Sequence, residues 1–385
     1  MQKRKQRLVL VVLPLIYSCS NFNTSDSAIS SAGIVSDAKD NDDLDVRSDS
    51  DLLSSSDLCI SEYDNKYRFK KTISVKAPES SNIPEAYTLK IKIDHKAMVS
   101  DDGALENGTD LALVHYDTAC NASLVNASFF PETGLAMQNS QLWFSSHEAV
   151  SSNEISHAYT LYYGLRSDFQ ADAENVLVSF DSLVDYYSSF EEATNPPLFN
   201  PLNQTTNAVY DGGVLKLEGT NPVNDPNRLH GVTWAGAERL PPGSGIDTSF
   251  EVNQLGSPAG QRILPGLYPS LLFLYQQSAQ RFNRIEERGD GPEYSVVKDA
   301  AIPQQFGTLN FTMNLQPDLV SLKIDEDIPI ELASNNQNFL PLLAFSPGVA
   351  DVPFLASYHY VVIRKIIKDD GNIRVTAGET VATGS

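Results

Sequence analysis

Apolar and polar residues alternate at a period of two, and no other feature limits so sharply what this chain can fold into. Tyr87-Thr88-Leu89-Lys90-Ile91-Lys92-Ile93 sets its apolar side chains one way and its lysines the other, as a half-buried strand requires. The same texture marks Tyr67 to Val75, Asp110 to Tyr116, Gln141 to Phe144 and Ala158 to Tyr163, with turn residues between the runs. Short strands separated by tight turns predict an antiparallel sandwich rather than alternating strands and helices. The second half continues the pattern. Val209 to Leu217 holds the pair Gly212-Gly213 between two strand-like runs, a hairpin signal. Phe311 to Leu315 and Leu319 to Ile324 read as interior strands, and Tyr358 to Arg364 as a long closing strand. The stretch from Leu271 to Glu287 is the one candidate helix, and its apolar spacing is poor. The expectation is an all-β protein of two antiparallel β-sandwich domains in series.

At 385 residues the chain is too long for one ordinary domain, and its first part does not share this texture. Lys3, Arg4, Lys5 and Arg7 precede an apolar run from Leu8 to Ile16, which is too short for a bilayer core needing roughly twenty residues. A basic start, a short apolar middle and small residues after it describe a secretory signal. The junction Ser18-Cys19 resembles the lipobox of bacterial lipoproteins. That resemblance implies lipidation of Cys19 and cleavage before it. Residues 19–58 are rich in Ser, Asp and Asn and cannot bury enough apolar surface to offset chain entropy, so they read as a disordered acidic tether. The acidic run within them lacks the glycine and closing glutamate of a calcium loop. The expected organisation is a signal peptide at 1–18, the tether at 19–58, sandwiches at 59–168 and 169–372, and a flexible tail at 373–385. With Cys19 lipidated, Cys59 and Cys120 are left as a pair for a disulfide in an oxidising compartment. Two buried free thiols are the alternative.

The order of motifs in the first sandwich carries a second resemblance. An opening Tyr67-Arg68-Phe69 strand is followed by Gly108-Thr109-Asp110-Leu111, then Leu142-Trp143-Phe144, then Leu161-Tyr162-Tyr163-Gly164. This resembles the bacterial domain of unknown function 2341, over roughly residues 60 to 165. The resemblance implies a secreted or surface β-domain and no particular chemistry. The segment from about 175 to 370 resembles, at fold level, a concanavalin-like jelly roll of the lectin and glucanase type.

Composition removes several functions. Lys and Arg total 28 against 49 Asp and Glu, a net charge of −21 that repels phosphate backbones and excludes a nucleic-acid reader. No nucleophile elbow or zinc-protease pair of histidines occurs, and Ser295 with Lys298 is a chance match to an acyltransferase string. Asp325 and Asp327 have the same-face spacing that a glycosidase pair would use, but Pro329 breaks the strand after them. The histidines show no ligand spacing, so no metal and no cofactor is expected. Trp234 stands among glycines and prolines with Arg239 nearby, which predicts a loop-borne aromatic platform for stacking on a sugar ring. These readings converge on a non-catalytic lipoprotein of the bacterial cell envelope, at the outer membrane or cell surface. Its expected partners are a polysaccharide or another surface molecule, and the membrane through its lipid. A jelly-roll glycan hydrolase and an adhesin-like structural stalk are the alternatives.

Overall fold

The computed structural model describes residues 59–101, 103–169, 177–190, 199–201, 207–220, 230–234, 240, 242–252, 262–268, 271–276, 281–288, 294–298, 307–324, 330–333, 340–346 and 353–383. The expected signal peptide, Cys19 and the tether lie outside the described residues. The described chain opens on Cys59 and a short helix, α1 (Glu62–Lys66), closed by a capping box between Ser61 and Asp64. Seven strands follow: β1 (Tyr67–Lys76), β2 (Thr88–Ile93), β3 (Ala112–Tyr116), β4 (Ala122–Leu124), β5 (Ala127–Phe129), β6 (Ser140–Ser145) and β7 (Ile155–Leu165). Helix α2 (His95–Ser100), capped by Asp94, leaves β2.

The second half supplies β8 (Tyr186–Ser188), β9 (Phe199–Pro201), β10 (Asn207–Tyr210), β11 (Leu215–Thr220), β12 (His230–Trp234) and β13 (Ser244–Val252). Then come β14 (Arg262–Tyr268), β15 (Leu271–Gln276), β16 (Arg281–Arg288), β17 (Tyr294–Lys298), β18 (Gly307–Leu315) and β19 (Leu319–Ile324). Strands β20 (Ile330–Ala333), β21 (Leu340–Ser346), β22 (Pro353–Lys365), β23 (Arg374–Ala377) and β24 (Val381–Ala382) complete the chain. The candidate helix at 271–287 is instead the antiparallel pair β15 and β16, with Phe273 opposite Ile285. Its poor helical spacing is that of two strands read as one segment.

Four antiparallel sheets form two sandwiches. In the first, a six-stranded sheet in the order β23-β1-β7-β3-β4, with β24 also on β1, faces the three-stranded sheet β2-β6-β5. Ile73, Val75, Tyr159 and Leu161 from one sheet share a core with Leu89, Ile91 and Phe144 from the other. A disulfide between Cys59 and Cys120 pins the entry of this domain to the β3–β4 turn. In the second sandwich the order is β10-β11-β22-β13-β18-β19-β20, with β8 on β22, against β17-β16-β15-β14-β21-β12-β9. The Gly212-Gly213 hairpin forms as its residues demand. Both glycines have positive φ, and Asp211 N donates to Val214 O at 3.0 Å.

The expected flexible tail does not trail free. β23 and β24 return to the first sandwich and pair with β1, Val75 facing Val375 and Phe69 facing Ala382. Thr383 N donates to Arg68 O at 2.9 Å, and Tyr163 Oη lies 2.7 Å from Thr380 Oγ1. The physical reason is the outer edge of β1, whose backbone groups would otherwise lack partners. The first sandwich is therefore built from both ends of the described chain, with the second inserted between them.

Candidate functional site

Strand β22 positions the main polar constellation. A register shift near Ser249 and Phe250, where β13 pairs with β22, changes which residues share a face. Val361 and Ile363 point with Ile246 into the second core, and Tyr360, Val362 and Arg364 point the opposite way with Asp247. That outward face meets the outer face of the three-stranded sheet. Tyr360 and Val362 share a small apolar cluster with Phe130, Trp143, Phe180 and Leu183. Trp143 is 2% exposed and lies opposite Lys90 across the β2–β6 pair, with the lysine Nζ 5.3 Å from its ring centre. The alternation that turns Leu89 and Ile91 inward is what turns Lys90 toward this seam.

Arg364 is the hub of the seam. Its Nε donates to Asp247 Oδ2 at 3.1 Å, and its Nη1 and Nη2 clasp Asp370 Oδ1 and Oδ2 at 3.0 and 2.8 Å. Tyr87 Oη donates to Asp370 Oδ1 and accepts from Ile367 N at 3.3 Å. Lys90 Nζ lies 3.8 Å from Asp247 Oδ1, an oxygen that also accepts from Thr312 Oγ1. Gly245 sits opposite Arg364, where a Cβ would stand 2.6 Å from the Ile366 side chain. Only glycine allows that approach.

Burial by itself would raise the Asp247 carboxyl. The charges of Lys90 and Arg364, with hydrogen bonds from Thr312 and Arg364, outweigh it and hold the group below its ordinary value. Asp370 is likewise pushed up by burial and pulled down further by the Arg364 charge and its hydrogen bonds. Burial, with Asp370 alongside, drives the Tyr87 phenol upward. Both carboxylates therefore stay ionised at neutral pH and cannot serve as proton donors there. The adjoining cavity, lined by residues that include Thr88, Lys90, Trp143, Arg364 and Asp370, is about 60 Å³. It has room for a few waters and not for a sugar ring. The chemistry of this seam is that of a clamp between the sandwiches.

The sequence-expected site residues are dispersed. Trp234, expected on a loop, is instead the last residue of β12 and pairs with Phe199 of β9, because two strands flank that segment. Its side chain, all of Arg239, and Asp325 and Asp327 lie outside the described residues. Ser295 and Lys298 both belong to β17.

Two of the histidines, 32 positions apart in sequence, come together where β3 meets the turn after β6. The His115 and His147 ring centres are 4.7 Å apart, and His115 Nε2 lies 3.3 Å from Glu148 Oε2. Ser156 Oγ donates to Glu148 Oε1 at 2.5 Å, and His147 N donates to Tyr159 Oη at 2.9 Å. Burial lowers the His115 pKa despite the neighbouring Glu148 carboxylate, and it pushes the Tyr159 phenol up to about 12. Tertiary contact joins these residues, His115 pairing with Tyr159, whose hydroxyl accepts from His147 N, so sequence spacing carried no sign of them.

No protein-family model matches the chain, so the resemblance to the domain of unknown function 2341 has no family match behind it. No curated protein matches it either. Among solved structures, the chain is similar to an endo-acting O-glycanase of the human gut microbiota that initiates mucin breakdown (14% identity, TM-score 0.37, 48% of this chain and 100% of that one). It is similar to the catalytic domain of an endo-1,3-β-glucanase (laminarinase) from Thermotoga petrophila RKU-1 (12%, 0.35, 47% and 96%). A third is an endo-β-1,3-glucanase from Pyrococcus furiosus (12%, 0.37, 48% and 94%). Two of these three neighbours are glucanases, and a likeness of this size assigns no activity to the chain.

Proposed function

We propose that this protein is a lipid-anchored module of the bacterial cell envelope that binds a glycan or another surface partner without catalysis. The observation that carries the reading is the Cys59–Cys120 disulfide. It begins at the end of the signal-like and acidic segments, and such a bridge persists in an oxidising, extracytoplasmic compartment. Asp247 and Asp370 support the non-catalytic part, because both carboxylates are committed to Arg364. For glycan binding the tryptophans matter most. Trp143 is consumed by the seam, so Trp234 is the indole left to act as a stacking platform. The clamp itself favours a second reading, a stalk whose two sandwiches are joined as a stiff rod.

Two variants test the proposal. Cys19→Ala should move the protein from the membrane to the soluble fraction and abolish lipid labelling; unchanged partitioning would defeat the anchor. On a polysaccharide array the wild-type protein should be retained by a glycan that it does not cleave. Trp234→Ala should lose that retention with little change in melting temperature. Cleavage would restore the hydrolase alternative, and silence across the array would leave the stalk.

A further inference from the structure

We propose that His95 is an acid-released latch for residues 134–139, the segment that leads into β6. While its ring is neutral the segment is held against α2, and a second ring proton frees it. His95 opens α2 and is 0% exposed. Its Nδ1 accepts from Ala136 N at 2.9 Å. Only an unprotonated ring nitrogen can accept an amide N–H, so the ring carries its one proton on Nε2. Protonating Nδ1 turns the acceptor into a donor and leaves two N–H groups facing each other. The bond cannot survive that change.

The segment needs to be held. Ala136 has φ +56°, in the left-handed region that disfavours a side chain, and such a residue persists there only where its surroundings enforce it. The link to α2 is completed by Lys96 N, which donates to Met137 O at 3.3 Å. Ser140 Oγ bonds Gly134 O and the Met137 backbone, which stiffens the turn without fastening it to α2. What the latch covers is apolar. Leu135 packs at Gly108 beside Phe129 and Leu111, so closely that a Cβ on Gly108 would stand 3.1 Å from Phe129 and 3.3 Å from both leucines. Leu105, Leu135 and Met137 are already 49%, 37% and 55% exposed. Freeing the segment lifts Leu135 away and joins Phe129 and Leu111 to one apolar surface, presented only in acid.

The groups around the ring set the direction. Burial disfavours the imidazolium and holds the His95 pKa below its ordinary value, although the Asp110 carboxylate and the Leu105 backbone favour the charged form. Asp110 comes from the turn before β3, and its oxygens accept from Leu105 N at 2.9 Å and Gly164 N at 3.1 Å. β5 presents the uncharged Phe129 ring, 5.0 Å from the imidazole centre, and residues 134–139 include no titratable side chain. On α2 itself Asp94 caps the helix and Lys96 is exposed. Once the segment opens and water reaches the ring, the histidine regains its ordinary value of about 6.5. The open form then binds the proton more tightly. Opening therefore grows as pH falls below about 6.5 and levels off below the folded value.

Hydrogen exchange on the full chain tests the latch, with each amide rate compared with its intrinsic rate at the same pH. Ala136 N should keep constant protection above about pH 7 and lose about tenfold per pH unit below about 6.5, the slope of one proton. Val125 N, bonded to Leu113 O at 2.8 Å, is the internal reference, and its protection should stay level over the same range. His95→Asn sets an amide oxygen where Nδ1 stood and cannot titrate, so its Ala136 protection should be flat from about pH 7.5 to about 5. His147→Ala, at an exposed histidine, should retain the wild-type slope. The wild-type profile decides the matter even where His95→Asn does not fold. Flat protection at Ala136, a parallel fall at Val125, loss of the slope in His147→Ala, or a slope that survives in folded His95→Asn overturns the latch.

Discussion

At the scale of single residues, Arg364 decides most. It is buried with two carboxylates and a phenol whose sequence distances from it span 6 to 277 positions, so nothing local announced the cluster. A buried ion pair contributes little net stability when compared with apolar replacements, yet removing one partner leaves uncompensated charge. Arg364→Met should therefore cost about 3–5 kcal/mol in denaturant unfolding. The triple variant Arg364→Met, Asp247→Asn, Asp370→Asn should recover much of that loss. If Arg364→Met alone proves nearly neutral, the clamp is not what joins the sandwiches.

Among the elements, the short strands were legible and their partners were not. Alternation located β1, β2, β3, β6 and β7 to within a few residues, and the two glycines located the β10–β11 hairpin. The tail at 373–385 is polar and glycine-bearing, which reads as loose, but its conformation answers to the open edge of β1. Truncation after Asn372 should bare that edge. We expect a lower melting temperature together with concentration-dependent association on size-exclusion chromatography, since an unpaired strand is a template for another chain. A truncated chain that stays monomeric with an unchanged melt would mean that the returning strands only decorate the sheet.

Across the whole molecule the seam should leave a pH signature. Asp247 and Asp370 have folded-state values depressed below the ordinary carboxylate. An unfolded Asp titrates near about 3.9, so their contribution is fully present above that pH and is lost as pH falls through the folded values. Unfolding free energy should thus fall below about pH 4, and fall less steeply in the triple variant, which has no carboxylates to protonate there. Acid profiles of equal slope for the two proteins would take the seam out of the cause.

What the sequence determined by itself is local. Side chains two apart share a face of a strand, so Leu89 and Ile91 had to turn inward and Lys90 outward, and two consecutive glycines could take the positive φ of a tight hairpin. Those are steric consequences of neighbouring residues, which is why the all-β class was readable. Which outward faces meet was settled by tertiary structure alone. Alternation along β22, paired with β13, sets Arg364 on the face that meets Lys90 and Trp143, the chain end finds the free edge of β1, and the packing of the turn after β6 brings His147 beside His115. Each of these depends on burial and strand pairing between distant segments, whose free energy exists only once the sheets have assembled.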